Sequence, residues 1–234
     1  MSVLAKITQI QQETPLIRSF RLEFETSDFS FLPGQWVDFY ANIEGNLKVA
    51  GYSIVSLPSQ KSFIDIAVKK IGTNPVTNYL HTNVKVGDIV YVDGGYGDFY
   101  FTKKMGTSVV LISGGIGVTP LLGILRYIQD EAPEVKATMI YSAKTQNEFL
   151  FYDEFLKIMN KNNNINCIFT ITQSDETDSW NGHRGRITID LINKANLNPN
   201  TIFYICGPPK MVENLNQLLL ISKIPDKQIH IETW

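Results

Sequence analysis

Two glycine-bearing stretches hold the residue types from which a nucleotide site is built. Residues 113–120 read SGGIGVTP and residues 204–211 read YICGPPKM. Gly114, Gly115 and Gly117 allow a tight turn and let the backbone come close to a pyrophosphate. Thr119 is expected to cap a helix whose first position is Pro120, where a missing N–H costs nothing. The helix start then faces an anion. By itself such a loop is equally an ordinary strand-to-helix turn. In the second stretch, Cys206, Gly207 and Pro208 close an apolar run at a strand's carboxyl end, where open α/β sheets bind ligands. Cys206 alone reads as either a small buried hydrophobe or a reactive thiol.

The elements that must position these loops follow from the apolar rhythm. The chain has 234 residues, 44% hydrophobic and 19% charged, the composition of an ordinary globular protein. Its first hundred residues alternate in short runs: VLAKITQIQQ, SFRLEFE, QWVDFYA, GYSIVS, FIDIAVK and IVYVDGG. Turn signals separate them, and a helical insert, PVTNYLHTN, precedes the last. Six such strands predict an antiparallel β-barrel over residues 1–103. Over residues 104–234 the rhythm changes: apolar strands TSVVLIS, ATMIYSA, INCIFTIT, TIFYICG and QIHIE alternate with amphipathic helices, including TIDLINKAN. That pattern predicts a five-stranded parallel sheet covered by helices on both faces.

Composition also narrows the chemistry. A formal charge of −2 favours neither nucleic acid nor an anionic membrane. Two cysteines cannot supply the four thiolates of an iron–sulfur cluster, and the three histidines lack metal-ligand spacing. Residues 1–30 carry no apolar leader and no run of about 18 apolar residues occurs, so no membrane span and a cytoplasmic address are expected.

Read together, PGQ at residues 33–35, Tyr52-Ser53, VTNYL at 76–80, GGIGVTP and CGPP resemble the ferredoxin–NADP reductase superfamily. The phrasing of GQWVDF and GYSI is similar to its oxidoreductase NAD-binding domain-containing subgroup. The resemblance covers nearly the whole chain. It implies a barrel that binds a flavin, FAD or alternatively FMN, and a parallel-sheet half that binds NADH or NADPH. It further implies hydride transfer from the nicotinamide to flavin N5. Tyr52 matches the aromatic that packs on the flavin ring, and Ser53 the hydroxyl near N5. Val76 and Thr77 match the helix start that holds flavin phosphate, with Lys69 as an added positive charge. Gly115, Gly117, Val118 and Thr119 match the pyrophosphate loop. Cys206, Gly207 and Pro208 match residues beside the nicotinamide. Glu232 and Trp234 match the family's acidic residue and its C-terminal aromatic.

One departure concerns the flavin. The family arginine two residues before the tyrosine is replaced by Ala50, with Lys48 or Lys69 as the available substitutes. NADH is favoured over NADPH, because Asp175 and Glu176 stand where NADPH-specific relatives carry Ser-Arg. Lys144 and Arg184 are the residues that could reverse that preference, while Arg184 and Arg186 read as solvated scaffold. The resemblance also implies a separate electron acceptor, expected to be a protein carrier such as a ferredoxin or an oxygenase component. A flavin or ferric reductase with loosely held flavin is the alternative. A non-catalytic nucleotide-binding subunit is the alternative from another class.

Overall fold

The structure is a computed structural model that describes residues 2–25, 29–70, 72–173, 179–195 and 197–233. The alternating first half forms β1 (Val3–Thr14), β2 (Ile17–Phe24), β3 (Trp36–Ile43), β4 (Asn46–Ser53) and β5 (Phe63–Lys69), then helix α1 (Pro75–Thr82) and β6 (Ile89–Tyr96). These six strands pair antiparallel in the order β4-β3-β6-β1-β2-β5. A bridge between Ile54 and Ile66 joins the two edges and rolls the sheet into a barrel. Inward positions such as Ile7, Phe20, Leu22, Phe39, Ile64 and Val92 fill it. Strand β4 begins earlier than GYSIVS predicts. Leu47 and Val49 face outward there, so the alternation of apolar-in and polar-out is hidden.

The second half supplies β7 (Ser108–Gly114), α2 (Val118–Glu131), β8 (Lys136–Ala143), α3 (Tyr152–Lys161), β9 (Ile165–Ile171), β10 (His183–Arg184), α4 (Ile189–Ile192), β11 (Ile202–Gly207), α5 (Pro209–Ile221) and β12 (Ile229–Thr233). All sheet pairs are parallel, in the order β10-β9-β8-β7-β11-β12. Five strands were expected; the sixth is β10, which pairs through only two residues and leaves no periodic trace. Helix α4 is likewise one turn, capped by the Thr188 hydroxyl, because the chain turns off at Asn193 and Lys194. Strand order reverses between β7 and β11. The carboxyl ends of those two strands therefore open onto one crevice, and both glycine stretches lie there.

Helix α2 joins the halves. Its apolar face packs in one core cluster with Phe99 and Phe101 from the end of the barrel half. A Cβ on Gly123 would stand 2.8 Å from the Ile54 carbonyl oxygen, so the helix backbone lies directly on the chain that follows Ser53. One turn on, Arg126 Nη1 donates to the Val55 carbonyl at 2.6 Å, while Nε and Nη2 grip Glu154 of α3 at 2.6 and 2.7 Å. Tyr204 of β11 adds a further tie, its Oη donating to the Tyr100 carbonyl at 2.6 Å.

Gly123→Ala tests how tight this seam is. Alanine gains about 1 kcal/mol of helix propensity, whereas overpacking against a backbone oxygen costs about 1–3 kcal/mol. The expected outcome is a melting temperature lowered by roughly 2–4 °C. An unchanged or raised value in calorimetry would show a slack seam.

Candidate active site

The carboxyl end of the parallel sheet lines an open cavity of about 590 Å³, to which the barrel contributes Lys69. Gly114, Gly115 and Pro208 line it, as the sequence motifs require. So do four cations, Lys69, Lys144, Arg186 and Lys210, against one carboxylate, Glu148. On a chain with a net charge of −2 this is a locally positive pocket, suited to a pyrophosphate. Lys69 projects from the barrel and shares the wall with the glycine loop. Arg186 is in the wall too, although the sequence reads it as solvated scaffold. Next to the glycine loop the wall is one face of α5, Met211, Asn214, Leu215 and Leu218, whose helical spacing is the signal in the sequence.

The rest of the loop works from beneath. A Cβ on Gly117 would meet the Cys206 carbonyl oxygen at 2.5 Å and the Gly207 nitrogen at 2.6 Å. Only glycine lets the loop lie on β11 so closely. Val118 is fully buried in the core. Thr119 is not the helix cap: α2 starts at Val118, with Gly117 preceding it and no side-chain cap. The Thr119 hydroxyl instead donates to the Ile116 carbonyl at 2.9 Å. Pro120 sits in the first turn, where its lack of an N–H is harmless. Neither Val118 nor Thr119 lines the cavity through its side chain.

At the carboxyl end of the sheet, Ser113, Cys206 and Glu232 stand side by side, because Cys206 pairs with both. Cys206 is fully buried. Ser113 Oγ and Glu232 Oε2 are buried without a hydrogen-bond partner. Burial pushes the Glu232 carboxyl up to about 7. A hydroxyl and a carboxyl left open beside a small side chain complement a primary carboxamide, which both donates and accepts. Ser113 was not singled out from the sequence, since a serine at a strand end carries no signal of its own.

On the barrel side, Tyr52 and Ala50 lean on the barrel core, and Tyr52 Oη shares a 3.1 Å hydrogen bond with Thr77 Oγ1. That contact fixes the ring against the start of α1. Desolvation raises the Tyr52 phenol above its ordinary value, opposed by Thr77, so it stays neutral. Ser53 is buried at the end of β4, immediately before Ile54. The α1 start carries its own cap. Asn74 Oδ1 already accepts from the Val76 and Thr77 amides, at 3.0 Å each. Asp175 and Trp234 lie outside the described residues.

The two sets of residues converge through α2. Gly117 rests on Cys206 and Gly123 on Ile54, beside Ser53. Six residues of helix span roughly 9 Å. Cavity charge, glycine cradle and open polar atoms thus fit a nicotinamide dinucleotide. On the barrel, Tyr52 is half-buried against the core, and Asn74 already occupies the Val76 and Thr77 amides at the start of α1.

The Glu232 environment predicts a pH dependence. Its folded value lies above the unfolded 4.5, so the folded state holds this proton more tightly. The stabilisation is complete below 4.5 and is lost as pH rises through about 7. Thermal melts over that window should show a decline for the native chain and a flatter profile for Glu232→Gln. Identical profiles would place the carboxyl in water.

Comparison with known proteins adds the following. A family model described as Oxidoreductase FAD-binding domain matches residues 2–101, and one described as Oxidoreductase NAD-binding domain matches residues 111–217. An oxidoreductase NAD-binding domain-containing protein 1 of Danio rerio is 33% identical, over 98% of this chain and 91% of its own. The glycine betaine monooxygenase reductase subunit of Chromohalobacter salexigens is 28% identical, over 98% of this chain and 63% of its own. Among solved structures, the flavohem-like FAD/NAD binding domain of a Vibrio cholerae nitric oxide dioxygenase superposes with a TM-score of 0.88 at 25% identity, covering 99% of this chain and 98% of that one. With both halves matched in order and a relative aligned over nearly its whole length, the chain belongs to the ferredoxin–NADP reductase superfamily and is an NAD(P)H-dependent flavin oxidoreductase.

Proposed function

We propose that the protein carries electrons from NADH, through FAD seated on the barrel, to a separate protein acceptor such as a ferredoxin or an oxygenase component. In this reading residues 1–103 form the flavin unit and residues 104–234 the nucleotide unit, working in the cytoplasm. Among the described residues no helix is long and apolar enough to cross a membrane. The observation that carries the reading is the cavity whose lining brings Lys69 of the barrel together with Gly114 and Gly115 of the glycine loop. The reductase subunit among the relatives supports a protein as acceptor.

When bound, a nicotinamide would supply a hydride and a flavin would take it up. The chain's part is placement. Gly114, Gly115, Gly207 and Pro208 bring backbone to the pyrophosphate, with Lys144, Arg186 and Lys210 as its counter-charge. Gly117, Val118 and Thr119 hold that loop from below. Ser113 and Glu232 orient the carboxamide over Cys206, which acts as a small wall. Tyr52, held by Thr77, backs the flavin ring, and Ser53 donates at its reacting edge. Lys69, with the α1 start at Val76 and Thr77, would serve its phosphate, and Trp234 would be the aromatic that shields the ring. Asp175 disfavours a 2′-phosphate, against the pull of Lys144 and Arg186.

A second reading, a flavin or ferric reductase that holds its flavin loosely, is favoured by Ala50 and by Asn74 occupying the α1 amides. One spectrum separates the two. A yellow protein bleached by NADH faster than by NADPH supports the first; a colourless one that oxidises NADH only with added FAD supports the second. A chain that binds NADH and never oxidises it, with or without flavin, overturns both. Ala50→Arg should tighten FAD binding about 10- to 100-fold, the worth of a charge-assisted hydrogen bond of about 1.5–3 kcal/mol. Calorimetric titration of both chains with FAD measures it, and equal affinities would remove the argument from Ala50.

A further inference from the structure

The barrel has two outer faces of opposite character. Across β1, β2 and β5 the outward row is Gln9, Arg21 and Asp65, with Arg21 gripping Asp65 at 2.8 and 2.9 Å. That polar row lines a cleft shared with Arg126 and Phe151 of the other half. Across β4, β3, β6 and β1 the row of directly paired outward residues is Val49, Tyr40, Tyr91 and Leu4. Val49 is 53% exposed, Tyr91 51% and Leu4 48%, with Leu47 at 69% and Ile89 at 58% beside them. A continuous apolar row across four strands is unusual on a solvent face and marks an interaction surface.

The rows on either side indicate what covers it. On one side Asp38 and Asp93 stand directly opposite each other. Like charges so placed repel, and burial together with Asp93 holds the Asp38 carboxyl above its ordinary range. On the other side Lys6 is paired with Ile89. A twofold axis lying in the interface, parallel to the sheet and running along the Val49–Tyr40–Tyr91–Leu4 row, would lay the aspartate row of one copy over the Lys6 row of another. Apolar row then meets apolar row, and each lysine meets a carboxylate pair. Such an isologous contact is the commonest symmetry of homo-oligomers, and tyrosines are enriched at the centre of interfaces. An anionic lipid surface is disfavoured by the two carboxylates.

We propose that the outer face of β4-β3-β6-β1 binds a second copy of this chain, as a twofold dimer with the row Val49, Tyr40, Tyr91, Leu4 at its centre and Lys6 of each copy set against Asp38 and Asp93 of the other. The surface does not touch the cavity, and the proposal stands apart from the electron-transfer reading.

Sedimentation equilibrium of the full chain at micromolar concentrations tests it, with circular dichroism to confirm that each variant folds. The native chain should sediment as a dimer, and Val49→Glu and Tyr91→Glu should each raise the dissociation constant at least tenfold. Asp38→Lys and Lys6→Asp should each weaken association, and the double variant should restore it, because the swap re-pairs the charges across the axis. A native monomer overturns the proposal. So does a dimer that survives both glutamates, or a charge swap that fails to rescue. Flotation of a monomeric chain with phosphatidylcholine vesicles, lost in Tyr91→Glu, would assign the face to lipid and also overturn it.

Discussion

Helix α2 lies on two backbone surfaces that leave no room for a side chain, the Cys206 carbonyl under Gly117 and the Ile54 carbonyl under Gly123. One belongs to the nucleotide half and the other to the barrel half. Because a helix is stiff, the spacing between these contacts is carried rigidly from one half to the other. Arg126 locks the arrangement: its guanidinium holds the Val55 carbonyl and the Glu154 carboxylate in one planar fork. Two ligands seated on different domains can react only if their separation is controlled to within an ångström or so. The seam along α2 is where this fold provides that control.

At the carboxyl end of the sheet, Ser113 Oγ and Glu232 Oε2 are two buried polar atoms without hydrogen-bond partners. Burial without a partner raises the Glu232 carboxyl, and groups of this kind gather where a ligand completes the hydrogen bonding. The cations are distributed differently. Lys69, Lys144, Arg186 and Lys210 come from four separate segments and meet only in the folded cavity. A chain that is slightly acidic overall thereby presents a positive pocket to an anionic coenzyme.

Much of this was legible before folding. Strict alternation marked the barrel strands, and apolar runs separated by amphipathic helices marked the parallel sheet, because both periodicities come from one buried face meeting one exposed face. The motifs named the superfamily and the two loops of the crevice. The signal failed where that rule is broken. Strand β4 was read too short because its outer face is apolar, β10 was missed because two residues have no period, and α4 was read too long through a turn. Thr119 was read as a cap from its type alone, whereas its hydroxyl is spent on the Ile116 carbonyl. The sequence does not mark Asn74 as the cap of α1, which takes up the Val76 and Thr77 amides.

What the amino-acid sequence by itself determined is therefore local: where the chain turns, which face of each element is apolar, and which short motifs could meet a nucleotide. Tertiary structure alone decided which distant groups share a space. Lys69 and Gly114, or Ser113 and Glu232, carry no mark of their neighbourhood, because parallel pairing and domain packing join residues far apart in the chain. The physical reason is that hydrogen-bond register and close packing act between segments, whereas propensity and periodicity act within one.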